Sequence, residues 1–520
     1  MAYTKSPTQD SHNVVRLPAA GSPFVVTTST TNPAATLNYI DCFPLTEKQW
    51  GADERRTVQK REAWKVRATC TGTVTTSTNI SKVSVPAELT DYVFFGVGDT
   101  YYYCNYNTAA VASWATGSNS SSAYLSSGTN AIDSTNARRI AFLGYDSFLK
   151  TCLEDGTSAT STDLSAIGVI GNKGLVYIDG YLFAVSSNGN KIYNSGTANA
   201  LTTWATTDFI DAEQFGDPTI WIDKHKNYLV AFGSNSVEFF YNSGIEVGSP
   251  VTRQESYASR IGIRSVSPGR FTARIGDTLY FVGKSSTNSL SLYKIENFQV
   301  KEVQGQWAGS VMNFESILSP GNAFATYGVQ TVIINNNPMV QVFTQNEAGT
   351  MVNSIMYFPK EDAWWQLSAD GSTFPHPNYQ VGSNFYESTY GFPFTLSKTS
   401  EAGSTITIWE PDQAHATSIT AYIYSEVVDL GTNRWKHLAR MDAIGEYGNN
   451  SVTLSYNFTP DYSQTYTSCG AITQSSIGKQ NNVSWYNLGA VRRGSFKFAM
   501  SGTSHAIHEG LDLEYTVGVA

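Results

Sequence analysis

The sequence predicts an all-β fold: a β-propeller with an N-terminal arm or small domain before it and a C-terminal β-sandwich-like domain after it. Composition and a recurring phrase predict it. Charged residues make up only 15% and aromatics reach 13%, with 30 tyrosines, against about 25% charged in an average soluble domain. Short runs rich in Tyr, Val and Phe, punctuated by Gly, Asn and Ser, suit many strands joined by tight turns. The second observation is an apolar strand, a Gly- or Asp-containing turn, a second apolar strand and a polar loop, repeated from about residue 85 to 415. The copies recur at about 40–55 residues, the spacing of a four-stranded blade, and predict about six to eight blades.

Taken in order, residues 1–75 read as an arm and small domain. A Pro- and Thr-rich lead, Leu17 to Pro33, disfavours helix. An arm of this kind lies against a neighbouring subunit or packs on its own domain. The most basic stretch of the chain follows: Arg55, Arg56, Lys60, Arg61, Lys65 and Arg67, interspersed with Asp53, Glu54 and Glu62. That mixture suits an ion-paired subunit contact better than DNA binding, and Glu54 to Trp64 reads as a short helix.

The propeller is expected over residues 76–420. Its clearest phrase is Leu175 to Val185, turning at Asp179-Gly180, followed by Lys191-Ile192-Tyr193. Others are Tyr228 to Phe232 with Val237 to Phe240, and Phe271 to Gly283 with Leu292-Tyr293. Weaker copies include Asp91 to Phe95, Arg139 to Leu143, Thr331 to Ile334 and Ile355 to Phe358. A strand apolar on both faces, such as Tyr228 to Phe232, suits a blade buried between two others; an array of β-sandwiches is the competing reading. Residues 421–520 read as a C-terminal β domain, with strands at Ile423 to Leu430, Val452 to Tyr456, Gly494 to Met500 and Leu511 to Val517.

Chemistry-bearing patterns are sparse. Five cysteines, Cys42, Cys70, Cys104, Cys152 and Cys469, form no C-x-x-C pair, so they read as free thiols and not as a zinc or redox site. His505-x-x-His508-Glu509 has metal-like spacing without the helix that would align it, and reads as a surface turn. Ser368 to Phe374 departs in spacing from a sialidase Asp-box and reads as a polar turn. Asp208, Asp211 and Glu213, like Glu361-Asp362, are carboxylates in connecting loops, a placement that solvated turns share with glycosidase pairs. No phosphate loop or nucleophile elbow occurs. No cofactor, metal or catalytic residue is expected. The net charge of −9 opposes generic nucleic-acid binding, which needs cations to displace phosphate counterions, but suits a wall that DNA slides past. Met1 to Pro7 lacks an apolar signal core, and no apolar run approaches the ~20 residues of a membrane span.

Three stretches resemble the tail nozzle, or tail hub, proteins of short-tailed bacteriophages, some of which are called packaged DNA stabilisation proteins. The first runs from Val176 to Tyr193, through Trp204 and Asp211-Ala212-Glu213, to Leu229 to Gly233 and Val237 to Gly244. The second is Gly262-Ile263 to Ser267 with Ile275 to Gly283. The third is Val428 to Gly431 with Arg434, Trp485, Leu488-Gly489 and Arg492-Arg493. The N-terminal region departs from the family's pattern: Asp41-Cys42-Phe43-Pro44 stands where Asn-x-Tyr-Pro-Glu is usual, and the basic stretch has no Arg-Pro-Gly.

The resemblance implies a structural, non-enzymatic protein of the virion tail, assembled in the host cytoplasm. It implies a homohexameric ring that continues the DNA ejection channel, helps retain packaged DNA, and meets a portal-adaptor (head-completion) protein, a tailspike or tail fibre, and a plug or needle. Double-stranded DNA would pass through without sequence-specific binding. Within that reading the basic stretch is the adaptor or subunit contact, and Asp208, Asp211, Glu213 and Asp217 form a lumen or interface loop. The alternative is a carbohydrate-binding or glycan-cleaving propeller of a tail fibre or cell surface.

Overall fold

The computed structural model describes residues 13–18, 24–25, 36–37, 39–47, 55–71, 83–89, 92–97, 100–105, 108, 110–113, 127–303, 326–345, 351–367, 381–382, 395–398, 405–411, 418–424 and 430–518. Short breaks fall within the longer spans at 145, 154, 198, 213–214, 246–247, 264–270, 285–289, 431, 448–451, 462–465, 475–482 and 504. Nearly every described element is a strand, arranged in antiparallel sheets.

Seven of these sheets are blades, met in chain order. Blade 1 spans Val83–Leu89 to Val111–Ser113, blade 2 Ser127–Ile132 to Thr160–Asp163, blade 3 Leu175–Ile178 to Trp204–Asp211, and blade 4 Trp221–His225 to Val251–Arg253. Blade 5 spans Gly262–Ile263 to Gln299–Glu302, its inner position shared by two short strands, and blade 6 Thr326–Ile334 to Ala363–Trp365. Blade 7 takes Val381–Gly382, Thr395–Lys398 and Thr405–Pro411 from this part of the chain. Its fourth strand, Trp64–Thr71, comes from the N-terminal region and pairs antiparallel from Thr405↔Thr71 to Pro411↔Trp64. The first strand of blade 7 lies beside the first strand of blade 1, so the ring closes with strands from both ends of the propeller.

Local chemistry explains the blades. The hairpin of blade 3 pairs Ile178↔Tyr181 across Asp179-Gly180, whose φ values of 49° and 89° are those of a type I′ turn matched to strand twist. Blade 6 turns the same way at Asn335 and Asn336, φ 48° and 59°. In Tyr228–Phe232, Leu229 and Ala231 join the core shared with blade 3, whereas Val230 and Phe232 join the core shared with blade 5. Alternation along the strand sends successive side chains to opposite faces, so a blade between two others needs apolar residues at every position.

Apart from Phe24–Val25 and Thr36–Leu37, which pair only with each other, the remaining strands form a two-sheet sandwich. One sheet runs Val483–Val491, Lys436–Tyr447, Ala506–Val517, Arg55–Lys60, Cys42–Glu47, with Asn13–Pro18 also paired to Ala506–Val517. The other runs Thr467–Gln474, Val452–Phe458, Phe496–Gly502, Ile419–Tyr424, Tyr39–Ile40. Val452–Phe458 alternates buried and half-buried positions throughout, placing Leu454, Tyr456 and Phe458 in a core with Met441, Trp485, Phe496, Phe498 and Leu513.

The expected helix from Glu54 to Trp64 is corrected by the structure. Arg55–Lys60 is a strand registered on Cys42–Glu47, and Trp64 already belongs to the closing strand of blade 7. β-branched Thr57 and Val58 are fully buried there, and a sheet satisfies both backbone and side chains where an isolated short helix would be marginal.

Candidate functional site

Of the basic stretch, Lys60 and Arg61 turn inward. Lys60 is 3% exposed, and its Nζ donates to Gly502 O at 2.6 Å. Burial, reinforced by the neighbouring Arg61 charge, lowers its pKa from 10.5 to about 8. Arg61 Nε donates to Asp41 Oδ1 at 2.6 Å, with both side chains 2% exposed or less. Arg61 Nη1 also donates to Glu62 O at 3.1 Å. Arg55 and Arg56 lie opposite Glu47 and Thr46 in the sandwich, and Lys65 and Arg67 lie on the closing strand of blade 7; their side chains fall outside the described residues.

The structure does not gather the acidic loop into one cluster. Asp208 and Asp211 sit on the outer strand of blade 3, Asp208 half-buried and Asp211 exposed. Glu213 is outside the described residues. Asp217 is buried before blade 4, where it accepts from Asn235 N at 2.7 Å and Ser236 Oγ at 2.7 Å. Asp217 thereby shapes the turn between two strands of its own blade.

The other carboxylate and histidine candidates are also held by structural partners. Glu361 accepts from Thr46 N and Oγ1, and Asp362 accepts from Tyr357 Oη at 2.8 Å. His508 is not on a surface turn: it is 1% exposed, stacks on Phe498 at 4.2 Å and meets Tyr447 Oη at 3.0 Å. Among the described residues no group of His, Cys, Asp and Glu could hold a metal ion. The Asp-box-like segment Ser368 to Phe374 lies outside the described residues. Cys42, Cys152 and Cys469 are free thiols; burial pushes the Cys469 thiol up to about 11.

Polar ties between blades are what sequence reading missed. Thr272 Oγ1 of blade 5 donates to Asp223 Oδ2 of blade 4 at 2.6 Å, and Trp221 Nε1 donates to Thr272 Oγ1 at 3.1 Å. Arg274 pairs with Asp223 and donates to Lys224 O at 2.6 Å. Its own carbonyl accepts from Thr331 Oγ1 of blade 6 at 2.9 Å. Arg253 of blade 4 donates through Nη2 to Asp211 O of blade 3 at 2.6 Å and through Nε to Glu238 at 2.8 Å. These residues were visible only as polar positions inside strands, and a strand position carries no sign of which blade it faces.

Residues 73–307 match the family described as Phage_stabilise, "Bacteriophage P22 Gp10, beta-propeller". The match supports the phage tail-nozzle family. It spans blades 1 to 5, and that family's role is structural, in tail nozzle formation and stabilisation. A protein of this family is a component of the virion tail. No curated protein matches the chain.

Several solved structures resemble it. One is a glycoside hydrolase family 43 arabinoxylan arabinofuranohydrolase from Bacillus subtilis: 11% identity, 92% of this chain and 96% of that one, TM-score 0.23. Another is YCF48 bound to D1 peptide: 11% identity, 68% of this chain and 97% of that one, TM-score 0.38. A third is virginiamycin B lyase from Staphylococcus aureus: 11% identity, 64% of this chain and 96% of that one, TM-score 0.33. No helix of the described residues is long and apolar enough to cross a membrane.

Proposed function

We propose that this chain is the nozzle subunit of a short phage tail, a homohexamer whose ring continues the DNA ejection channel and helps retain packaged DNA. The observation that carries this reading is the match of residues 73–307 to the phage P22 Gp10 propeller family. In this reading the ring sits below the portal-adaptor protein, presents surfaces to tailspikes or fibres and to a plug or needle, and is assembled in the host cytoplasm.

The physics fits that role. Blades closed on themselves leave few free strand edges, which suits a block that must withstand the pressure of packaged DNA. A net charge of −9 disfavours adhesion of DNA passing the wall. Asp208 and Asp211, on the outer strand of blade 3, are the proposed lumen or subunit-facing carboxylates. Arg55, Arg56, Lys65 and Arg67 are proposed to meet the adaptor or the adjoining subunit, while Lys60 and Arg61 position that surface from inside.

Negative-stain microscopy of the purified chain, alone and mixed with particles lacking it, tests the proposal. A six-fold ring with a central channel, or restored tails, is expected. Single propellers that never join a tail would overturn it.

A further inference from the structure

The N-terminal segment grips blade 6 at two of its hairpin turns. Thr46 donates through N and Oγ1 to Glu361 Oε1 and Oε2, at 3.0 and 2.6 Å, and Glu361 lies in the turn between Met351–Phe358 and Ala363–Trp365. Glu62 N donates to Asn335 Oδ1 at 2.7 Å, and Asn335 N returns a bond to Glu62 Oε1 at 2.8 Å. Asn335 Nδ2 donates to Lys60 O at 3.0 Å. Asn335 occupies the turn between Thr326–Ile334 and Asn337–Gln345. Ahead of these two grips in the chain, Asp41 N donates to Gln366 O and Gln366 N to Tyr39 O, both at 2.9 Å. The buried Arg61–Asp41 pair fixes the segment's own bend.

Apolar packing agrees with the polar contacts. Trp364 belongs to the core between blades 5 and 6, whereas Trp365 joins the sandwich core. Val332, Ile334, Met339, Met356 and Phe358 join Trp365 there, and the Phe43 ring lies 5.5 Å from Phe358 and 5.8 Å from Trp365. One face of blade 6 is thus a wall of the sandwich.

We infer that Tyr39 to Glu47 and Arg55 to Glu62 form a latch that joins blade 6 and the sandwich into one cooperative unit, so that the two open together and do not swivel about a hinge. The same segment continues directly into Trp64–Thr71, which closes blade 7. Releasing the latch therefore loosens the joint beside the strand that shuts the ring.

Hydrogen exchange read by mass spectrometry on the full chain tests this. In the unmodified protein, peptides from Lys436–Tyr447, Ala506–Val517 and Thr326–Ile334 exchange as one correlated unit. The pair Thr46→Val and Asn335→Gly removes side-chain bonds at both grips while glycine keeps the left-handed turn. It raises exchange in the sandwich by about 10- to 100-fold and separates it from blade 6. Independent opening of sandwich and blade 6 in the unmodified protein would overturn the latch, as would variant rates equal to the original.

Discussion

Removing the guanidinium of Arg61 while keeping its length, as in Arg61→Met, leaves Asp41 in place with its principal charge partner gone. The pair is 2% exposed or less on both sides and 2.6 Å long, so water cannot stand in for the lost partner. Breaking a buried pair from one side costs about 3–5 kcal/mol, because a desolvated charge remains behind. Asp41→Asn is the complementary change; Asn tolerates the left-handed φ of 57° found there and removes the negative charge. Combining the two removes both charges, and the double variant should lose less than the sum of the single losses, by about 2–3 kcal/mol. Urea unfolding followed by tryptophan fluorescence and far-UV circular dichroism gives the four stabilities needed for the cycle. Because the pair is shielded from solvent, the coupling should change little between low and high salt. Single losses that simply add in the double variant, within about 0.5 kcal/mol, would refute the buried-pair reasoning.

Lys60 carries a pH prediction. Its pKa in the folded chain, about 8, lies below the ordinary 10.5, so between those values the unfolded chain binds the proton and the folded chain does not. Stability attributable to Lys60 therefore rises with pH, by about 2–3 kcal/mol from pH 7 to 10, measured as the changing stability difference between the original chain and Lys60→Met; a pH-independent difference would contradict it. Gly171 sits where an added Cβ would overlap the Leu143 carbonyl, so Gly171→Ala should lower stability by about 1–3 kcal/mol through strain between blades 2 and 3, visible as a lower thermal midpoint. Deleting residues 1–75 removes the fourth strand of blade 7 and strands from both sandwich sheets; size-exclusion chromatography and circular dichroism should show aggregated or unfolded material, and a soluble folded product would oppose the closure described above.

The blades were legible in the sequence because their rules are local. Asp179-Gly180 between two apolar runs dictates a hairpin whatever surrounds it, and a run such as Leu229 to Phe232, apolar at every position, declares burial on both faces. The sandwich strand Val452–Phe458 was equally readable from its alternation, whereas Lys436–Tyr447 and Val483–Val491 carry enough polar and small residues to hide theirs. What the sequence could not determine was partnership across distance. Trp64–Thr71 pairs with a strand more than 300 residues away, and nothing local distinguishes a ring-closing strand from the start of an arm. Arg61 and Lys60 read as a surface patch because charge suggests solvent; only tertiary packing supplies Asp41 and Gly502 to receive them. Glu361 read as a turn residue, which it is, and it and Asn335 became a grip only when the N-terminal strands were laid against them. Turns and alternation follow from forces between neighbours in sequence, whereas closure, buried charge pairing and the junction of two domains follow from which surfaces must exclude water together, a property of the folded chain as a whole.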